Sequence, residues 1–189
     1  AKVAACPSCP KSSCPSPESF REAYHCDADN IYVITLSSKL SGSFNSAVLG
    51  RELYGEKYGK KNIYICDSKA QIAFKAMELE EAGFSFEEVV KRLEEFRDKL
   101  KTYFVLDNLE TLRKNGRLTG VKAFVATTMN IKPLMIGDDG MIAQRGQAIG
   151  IKKALARLAD MVVAEAENPE ERSLIITHCN CLARAESIK

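Results

Sequence analysis

The sequence predicts an α/β fold in two parts: a parallel, doubly wound sheet domain over residues 1–128, then a smaller α+β domain over residues 129–189. Three observations predict it. Short apolar runs rich in Ile, Val and Tyr alternate with segments of helical periodicity, the pattern of βαβ units. The first of these runs, Ile31-Tyr32-Val33-Ile34, passes through a Ser/Gly turn straight into a helical pattern. Further on, Pro133-Leu134-Met135-Ile136 and Met141-Ile142-Ala143 flank Asp138-Asp139-Gly140, a hairpin signal that breaks the alternation and marks the second part.

In chain order, residues 1–17 are rich in Pro, Ser and Cys and read as irregular. Glu18 to Tyr24 reads as a short helix after Pro17, and Ile31 to Leu36 as the first strand. A helix from Phe44 to Tyr54 follows, then a charged, Gly-containing loop from Gly55 to Lys61. Ile63-Tyr64-Ile65-Cys66 is the second buried strand, closed by Asp67-Ser68. Gln71 to Ala82 is helical and stops at Gly83, a residue that adopts positive φ without steric cost. Ser85 with Glu88 three residues on forms a capping box, and apolar residues at 86, 89, 90, 93, 96 and 100 continue that helix. Tyr103-Phe104-Val105-Leu106 is a third strand, and Asn108–Lys114 and Val121–Met129 are two short helices. After the hairpin comes a long amphipathic helix from Ile151 to Glu167, and Leu174-Ile175-Ile176-Thr177 reads as a last strand.

Composition narrows the function classes. The chain has 189 residues, 46% hydrophobic and 28% charged, with a formal net charge of +2. That balance argues against a nucleic-acid partner. No apolar run reaches the roughly 18–20 residues that cross a bilayer, so no transmembrane segment is expected. The first residues lack the apolar core of a signal peptide, and a soluble, cytosolic (cytoplasmic) protein is the expectation. Of seven cysteines, Cys6, Cys9 and Cys14 crowd the start, where Cys6-Pro7-Ser8-Cys9 has the CxxC form. That form reads either as a metal or redox module or as small thiols in a Pro/Ser-rich loop. A structural zinc site needs about four N or S ligands, and His25 and His178 lack finger spacing, which favours the loop reading and no metal.

Thr35-Leu36-Ser37-Ser38-Lys39-Leu40-Ser41-Gly42-Ser43-Phe44 carries the most chemical information. A strand that feeds such a turn into a helix aims backbone N–H groups and short hydroxyls at one point, at the positive end of a helix dipole. An anionic head group, carboxylate or phosphate, fits there. Ser37, Ser38, Ser41 and Ser43 read from spacing alone equally as turn and cap residues or as ligands, and Gly42 as a tight turn or a close approach to ligand. Asp67 after a strand reads as a catalytic or metal-binding carboxylate or, as is more common, as one that caps the following helix or closes a turn; Arg117 reads as a cation for the head group or as a solvated one, and His178 has no assignable Ser or Asp partner. Neither a G-x-S-x-G elbow nor a Walker A sequence is present. An enzyme acting on an acyl or phosphate substrate at the same loop remains the alternative, though no general base is evident near Ser41.

Leu36-Ser37-Ser38-Lys39-Leu40-Ser41-Gly42-Ser43 resembles the signature loop of the DegV family of bacterial fatty-acid-binding proteins. Other segments resemble that family in the same order: Ser12-Ser13-Cys14-Pro15-Ser16-Pro17, Cys66-Asp67-Ser68, the stretch Leu109 to Leu118, and Asn130-Ile131-Lys132-Pro133-Leu134 with Asp138-Asp139-Gly140. The resemblance implies a two-domain α/β protein that encloses one long-chain fatty acid, the tail in an apolar tunnel. It implies that the carboxylate is held by hydroxyls of two Ser/Thr loops, with Ser12 and Ser41 as the main ligands and Ser13, Ser38, Gly42 and Ser43 beside them. It implies no catalysis and no cofactor, and presentation of the fatty acid to a partner kinase for phospholipid synthesis.

The chain departs from the family pattern at several places. It lacks an opening strand followed by Asp-Ser-Thr, a closing Gly-Thr-His strand, and a longer Ser/Gly segment after Asp67. The expectation is that parts of the natural protein are missing at both ends and near residue 70, which an intact mass on the purified protein tests. Ile149 and Ile151 stand where the family often has arginines, so the mode of kinase docking is open.

Overall fold

A computed structural model describes residues 12–67, 71–107 and 130–188. Two compact units emerge. The described residues of Ala1–Lys101 group with Asp139–Met141, and those of Thr102–Asp138 group with Ile142–Lys189.

The first unit is built on two parallel strands, β1 (Asn30–Thr35) and β2 (Asn62–Asp67), paired in register from Asn30↔Asn62 to Thr35↔Asp67. Side chains alternate across the pleat, and both faces are covered. Ile31, Val33, Ile63 and Ile65 meet α1 (Pro17–Tyr24) and α2 (Ser43–Tyr58) through Phe20, Tyr24, Phe44, Ala47, Val48 and Tyr54. Tyr32, Ile34, Tyr64 and Cys66 meet α3 (Gln71–Glu81) and α4 (Phe86–Lys99) through Ile72, Ala76, Leu79, Val89, Leu93 and Phe96. Ile72, Val89 and Leu93 are fully buried, each contributing about 1.5–3 kcal/mol by burial. This is the predicted doubly wound arrangement.

Local chemistry sets the boundaries. Ser16 caps α1, its Oγ accepting from the Ser19 N–H at 3.3 Å, with Pro17 in the first turn. Gly83, at φ 79°, ends α3: its N–H donates to the Glu80 carbonyl at 2.9 Å and the Phe84 N–H to the Leu79 carbonyl at 3.3 Å. The Ser85–Glu88 capping box forms as predicted, and its hydrogen bonds hold the Glu88 carboxyl below the usual range. α2 runs past the predicted end at Tyr54. It crosses Gly55 and closes at Gly59, φ 90°, because Tyr58 stacks on His25 at 4.3 Å and packs on Tyr54 at 5.1 Å. Gly50 lets α1 and α2 touch; a Cβ there would meet Phe20 Cβ and the Pro17 carbonyl, each at 2.7 Å.

The second unit differs from the sequence expectation in two respects, the pairing of β3 and the run 174–177. The third apolar run forms β3 (Thr102–Val105), but it pairs antiparallel with β4 (Ile131–Asp138), Thr102 opposite Gly137, and does not extend the parallel sheet. With β5 (Met141–Ile149) the order is β3-β4-β5, so the predicted hairpin is part of a three-stranded sheet. An apolar run reports burial and not strand direction, which is why its partner was not legible. α5 (Ile151–Glu165) packs on this sheet through Ala154, Leu158 and Met161 against Leu134, Tyr103 and Val105. Residues 174–177 are not a strand: they pair with no strand among the described residues, and Leu174 and Ile175 are exposed. A lone apolar run without a ladder partner leaves its backbone groups to water. A short 3-10 turn (Pro169–Glu171) and α6 (Leu182–Glu186) complete the described chain. The predicted helices at 108–114 and 121–129 lie outside the described residues.

Candidate functional site

The first unit carries the Ser/Gly loop at the carboxyl end of its parallel strands, between β1 and α2, where open α/β sheets place ligands. Three anchors shape it. Thr35, buried at the end of β1, donates through Oγ1 to the Cys66 carbonyl at 3.1 Å and locks the two strand ends together. Asp67, opposite Thr35 at the end of β2, takes both donors of Ser38: the backbone N–H at 2.7 Å on Oδ1 and the hydroxyl at 2.6 Å on Oδ2. Ser37 is buried, and its carbonyl accepts from the Leu40 and Ser41 N–H groups, both at 2.9 Å. These bonds turn the chain through Ser37–Ser41 and deliver Ser41 to the start of α2.

Gly42 is the N-cap of α2, with helical backbone angles and no side chain to offer the first turn. The Ser41 and Ser43 hydroxyls lie 3.0 Å apart, and the Ser43 N–H reaches Ser41 Oγ at 3.3 Å. Both serines are half-buried and Gly42 is exposed. A pair of hydroxyls at a helix N-terminus supplies hydrogen-bond donors and a favourable dipole to an anion. Among the described residues no His, Asp or Glu hydrogen-bonds Ser41.

The predicted site residues separate into groups. Ser41, Gly42 and Ser43 sit together at the α2 N-terminus. Ser38 stands in the same loop, but its single hydroxyl proton is given to Asp67, which makes it an anchor of the loop in this geometry. Ser12 and Ser13 belong to an exposed, irregular segment ahead of α1. That segment reaches the loop through Cys14, whose Sγ lies 3.8 Å from Ser46 Oγ and 3.3 Å from the point a Cβ on Gly42 would occupy. Arg117, Cys6 and Cys9 lie outside the described residues. Among the described residues no group of three or more His, Cys, Asp or Glu is placed to hold a metal. His178 is exposed and accepts from the Cys181 N–H at 3.3 Å, a local turn contact.

Two features were missed from sequence. Asp67 is an anchor for Ser38, a role readable only once β1 and β2 are known to end level with each other. The turn Asp139–Gly140 also belongs to this unit, with Lys39 Nζ on Asp139 Oδ2 at 2.5 Å. Lys39 holds the Asp139 carboxyl below its ordinary value.

A family model described as "Uncharacterised protein, DegV family" matches residues 1–189. A solved structure of a DegV family protein from Ruminococcus gnavus ATCC 29149, refined with vaccenic acid, is 51% identical with a TM-score of 0.94, covering 99% of this chain and 69% of that one. The Streptococcus pneumoniae Fatty Acid Kinase (Fak) B3 protein, loaded with linoleic acid, is 32% identical with a TM-score of 0.79, covering 86% of this chain and 60% of that one. A DegV domain-containing protein of Clostridium perfringens is 32% identical over 178 residues, 90% of this chain. The chain spans 61% of that relative's length. No helix among the described residues is long and apolar enough to cross a membrane.

Proposed function

The chain belongs to the DegV family, and we propose that it binds a single long-chain fatty acid, holds its carboxylate at the Ser/Gly loop, and presents it to a partner fatty-acid kinase. The observation that carries the reading is the Ser41–Ser43 hydroxyl pair at the N-terminus of α2, in a loop pinned by Asp67. A buried carboxylate is costly unless hydrogen-bonded. Hydroxyls and helix amides meet that need without a buried cation and leave the carboxylate oxygens open to a phosphoryl donor.

The acyl tail supplies affinity at roughly 0.8 kcal/mol per buried methylene. Ser41 is the proposed ligand from this loop. Ser12 is the proposed ligand from the segment that Cys14 brings against Gly42, with Ser13, Gly42 and Ser43 beside them. Fatty acids in the Ruminococcus gnavus and Streptococcus pneumoniae structures support the ligand class, and the kinase name of the second supports the kind of partner. The reading is of a carrier and not an enzyme, supported by the fatty acids bound in those two related structures.

Solvent extraction of the purified protein followed by mass spectrometry tests it. One C14–C18 fatty acid per chain is expected, a chain length taken from the family resemblance. Protein that releases no lipid and takes up none when offered it defeats the reading. Ser41→Ala is expected to weaken fatty-acid binding by about 1.5–3 kcal/mol, the range for a hydrogen bond to a charged group. An unchanged Kd moves the head group elsewhere.

A further inference from the structure

We propose that the Asp139–Gly140 turn is a positioning element of the head-group site, acting on Ser41 through Ser37. The proposal rests on the reading of the Ser/Gly loop as a carboxylate site, and it is carried by a close approach of backbone to side chain. Asp139 and Gly140 both have positive φ, 45° and 76°, as in the tight turns that join antiparallel strands. In this conformation Gly140 closely approaches the Ser37–Lys39 stretch of the loop. A Cβ built on Gly140 would stand 2.6 Å from Ser37 Oγ, and 3.6 Å from both Ser37 Cβ and Lys39 Cδ.

Ser37 has no room to yield. It is only 4% exposed, its Oγ accepts from the Lys39 N–H at 3.3 Å, and its carbonyl holds the Leu40 and Ser41 N–H groups at 2.9 Å. Any side chain at position 140 therefore pushes on the residue whose carbonyl sets Ser41. The Lys39–Asp139 ion pair closes the outer side of the same contact. That pair is solvent-exposed and adds direction more than energy. Gly140 is thus required for two separable reasons, its positive φ and its missing Cβ. Only the second concerns the head-group site.

The distances supply a specific rescue. Removing Ser37 Oγ takes away the 2.6 Å contact and leaves the Ser37 Cβ at 3.6 Å, an ordinary van der Waals separation. Gly140→Ala is expected to weaken binding of hexadecanoic acid about tenfold in the wild-type background and by less than about threefold in a Ser37→Ala background. Hexadecan-1-ol, with the same tail and no charge, is expected to lose less than the acid in Gly140→Ala, which separates head-group positioning from general damage to the fold. Gly140→Asn, whose side chain tolerates positive φ, carries the same Cβ and stands in where Gly140→Ala folds poorly.

Amide exchange at Leu40 and Ser41 in lipid-free protein reads the same contact without any ligand. It is expected to accelerate about tenfold in Gly140→Ala, and less in the double variant. Equal losses of acid binding in both backgrounds, or equal losses of acid and alcohol, overturn the proposal, as does unchanged exchange at Leu40 and Ser41. A wild-type protein that takes up neither lipid overturns the fatty-acid reading, while the exchange cycle still decides whether Gly140 positions Ser41 through Ser37.

Discussion

Replacing Asp67 by Asn removes one charge and leaves shape nearly unchanged. Asp67 receives both donors of Ser38, at 2.7 and 2.6 Å, and these two bonds join the end of β2 to the middle of the loop. Hydrogen bonds to a charged group contribute about 1.5–3 kcal/mol each, against about 0.5–1.5 kcal/mol for neutral ones. In Asp67→Asn the oxygen keeps the amide bond as a neutral acceptor, and the new NH2 faces a hydroxyl that must rotate to accept from it. The site is part-buried, so solvent screens some of the charge. A net loss of about 1–1.5 kcal/mol follows, half of the summed difference. Asp67→Ala leaves the Ser38 N–H without a partner and is expected to cost about 2–4 kcal/mol.

Two assays divide the effect. The urea midpoint of the lipid-free protein reports what the bonds contribute to folding. The dissociation constant for a fluorescent fatty acid reports what a displaced loop does to binding. Asp67→Asn is expected to lower the midpoint and to weaken binding at least threefold, with the slope of the urea transition unchanged. If Asp67→Asn kept both the wild-type midpoint and the wild-type affinity, the view that Asp67 shapes the site would be refuted.

Other outcomes are expected elsewhere in the chain. Gly50→Leu forces side-chain atoms into Phe20 and the Pro17 carbonyl, so thermal unfolding should show a loss of about 2 kcal/mol or more; an unchanged Tm would mean that α1 is not packed on α2 as described. In the second unit, Lys132 Nζ at 2.6 Å and Arg184 Nη1 at 3.1 Å hold the Asp107 carboxyl below its ordinary value. A depressed folded pKa stabilises above the unfolded value, near about 3.9, and that stability is lost as pH falls through the folded value. Asp107→Asn should therefore lose stability at neutral pH and show a shallower decline in acid; equal acid profiles for the two proteins would remove the ion pairs from the account.

Much of the first unit was legible in the sequence because its signals are local. The Ser85–Glu88 capping box, Gly83 as helix stop and Pro17 after the Ser16 cap are decided within one helical turn. The Ser/Gly loop stood out because its residue types have few uses other than turns and anion contacts. What misled was also local. Gly55 reads as a loop glycine, yet the Tyr54, Tyr58 and His25 rings hold the helix through it. The run Leu174–Thr177 has strand composition, yet it finds no ladder partner among the described residues.

By itself the sequence determined the alternation of elements, the strand-to-helix loop with its hydroxyls, and the family signature, since each depends on residues close together in the chain. Tertiary structure alone decided which strand joined which sheet, sending β3 to β4 in place of β1 and β2. It also decided what each serine of the loop does. Ser38 spends its proton on Asp67, 29 residues away, and Ser37 is wedged beneath Gly140, while Ser41 and Ser43 face each other at the open end of α2. Those assignments depend on which backbone groups arrive opposite one another once two strands end level. A distance across the fold of that kind has no counterpart in the order of residues along the chain.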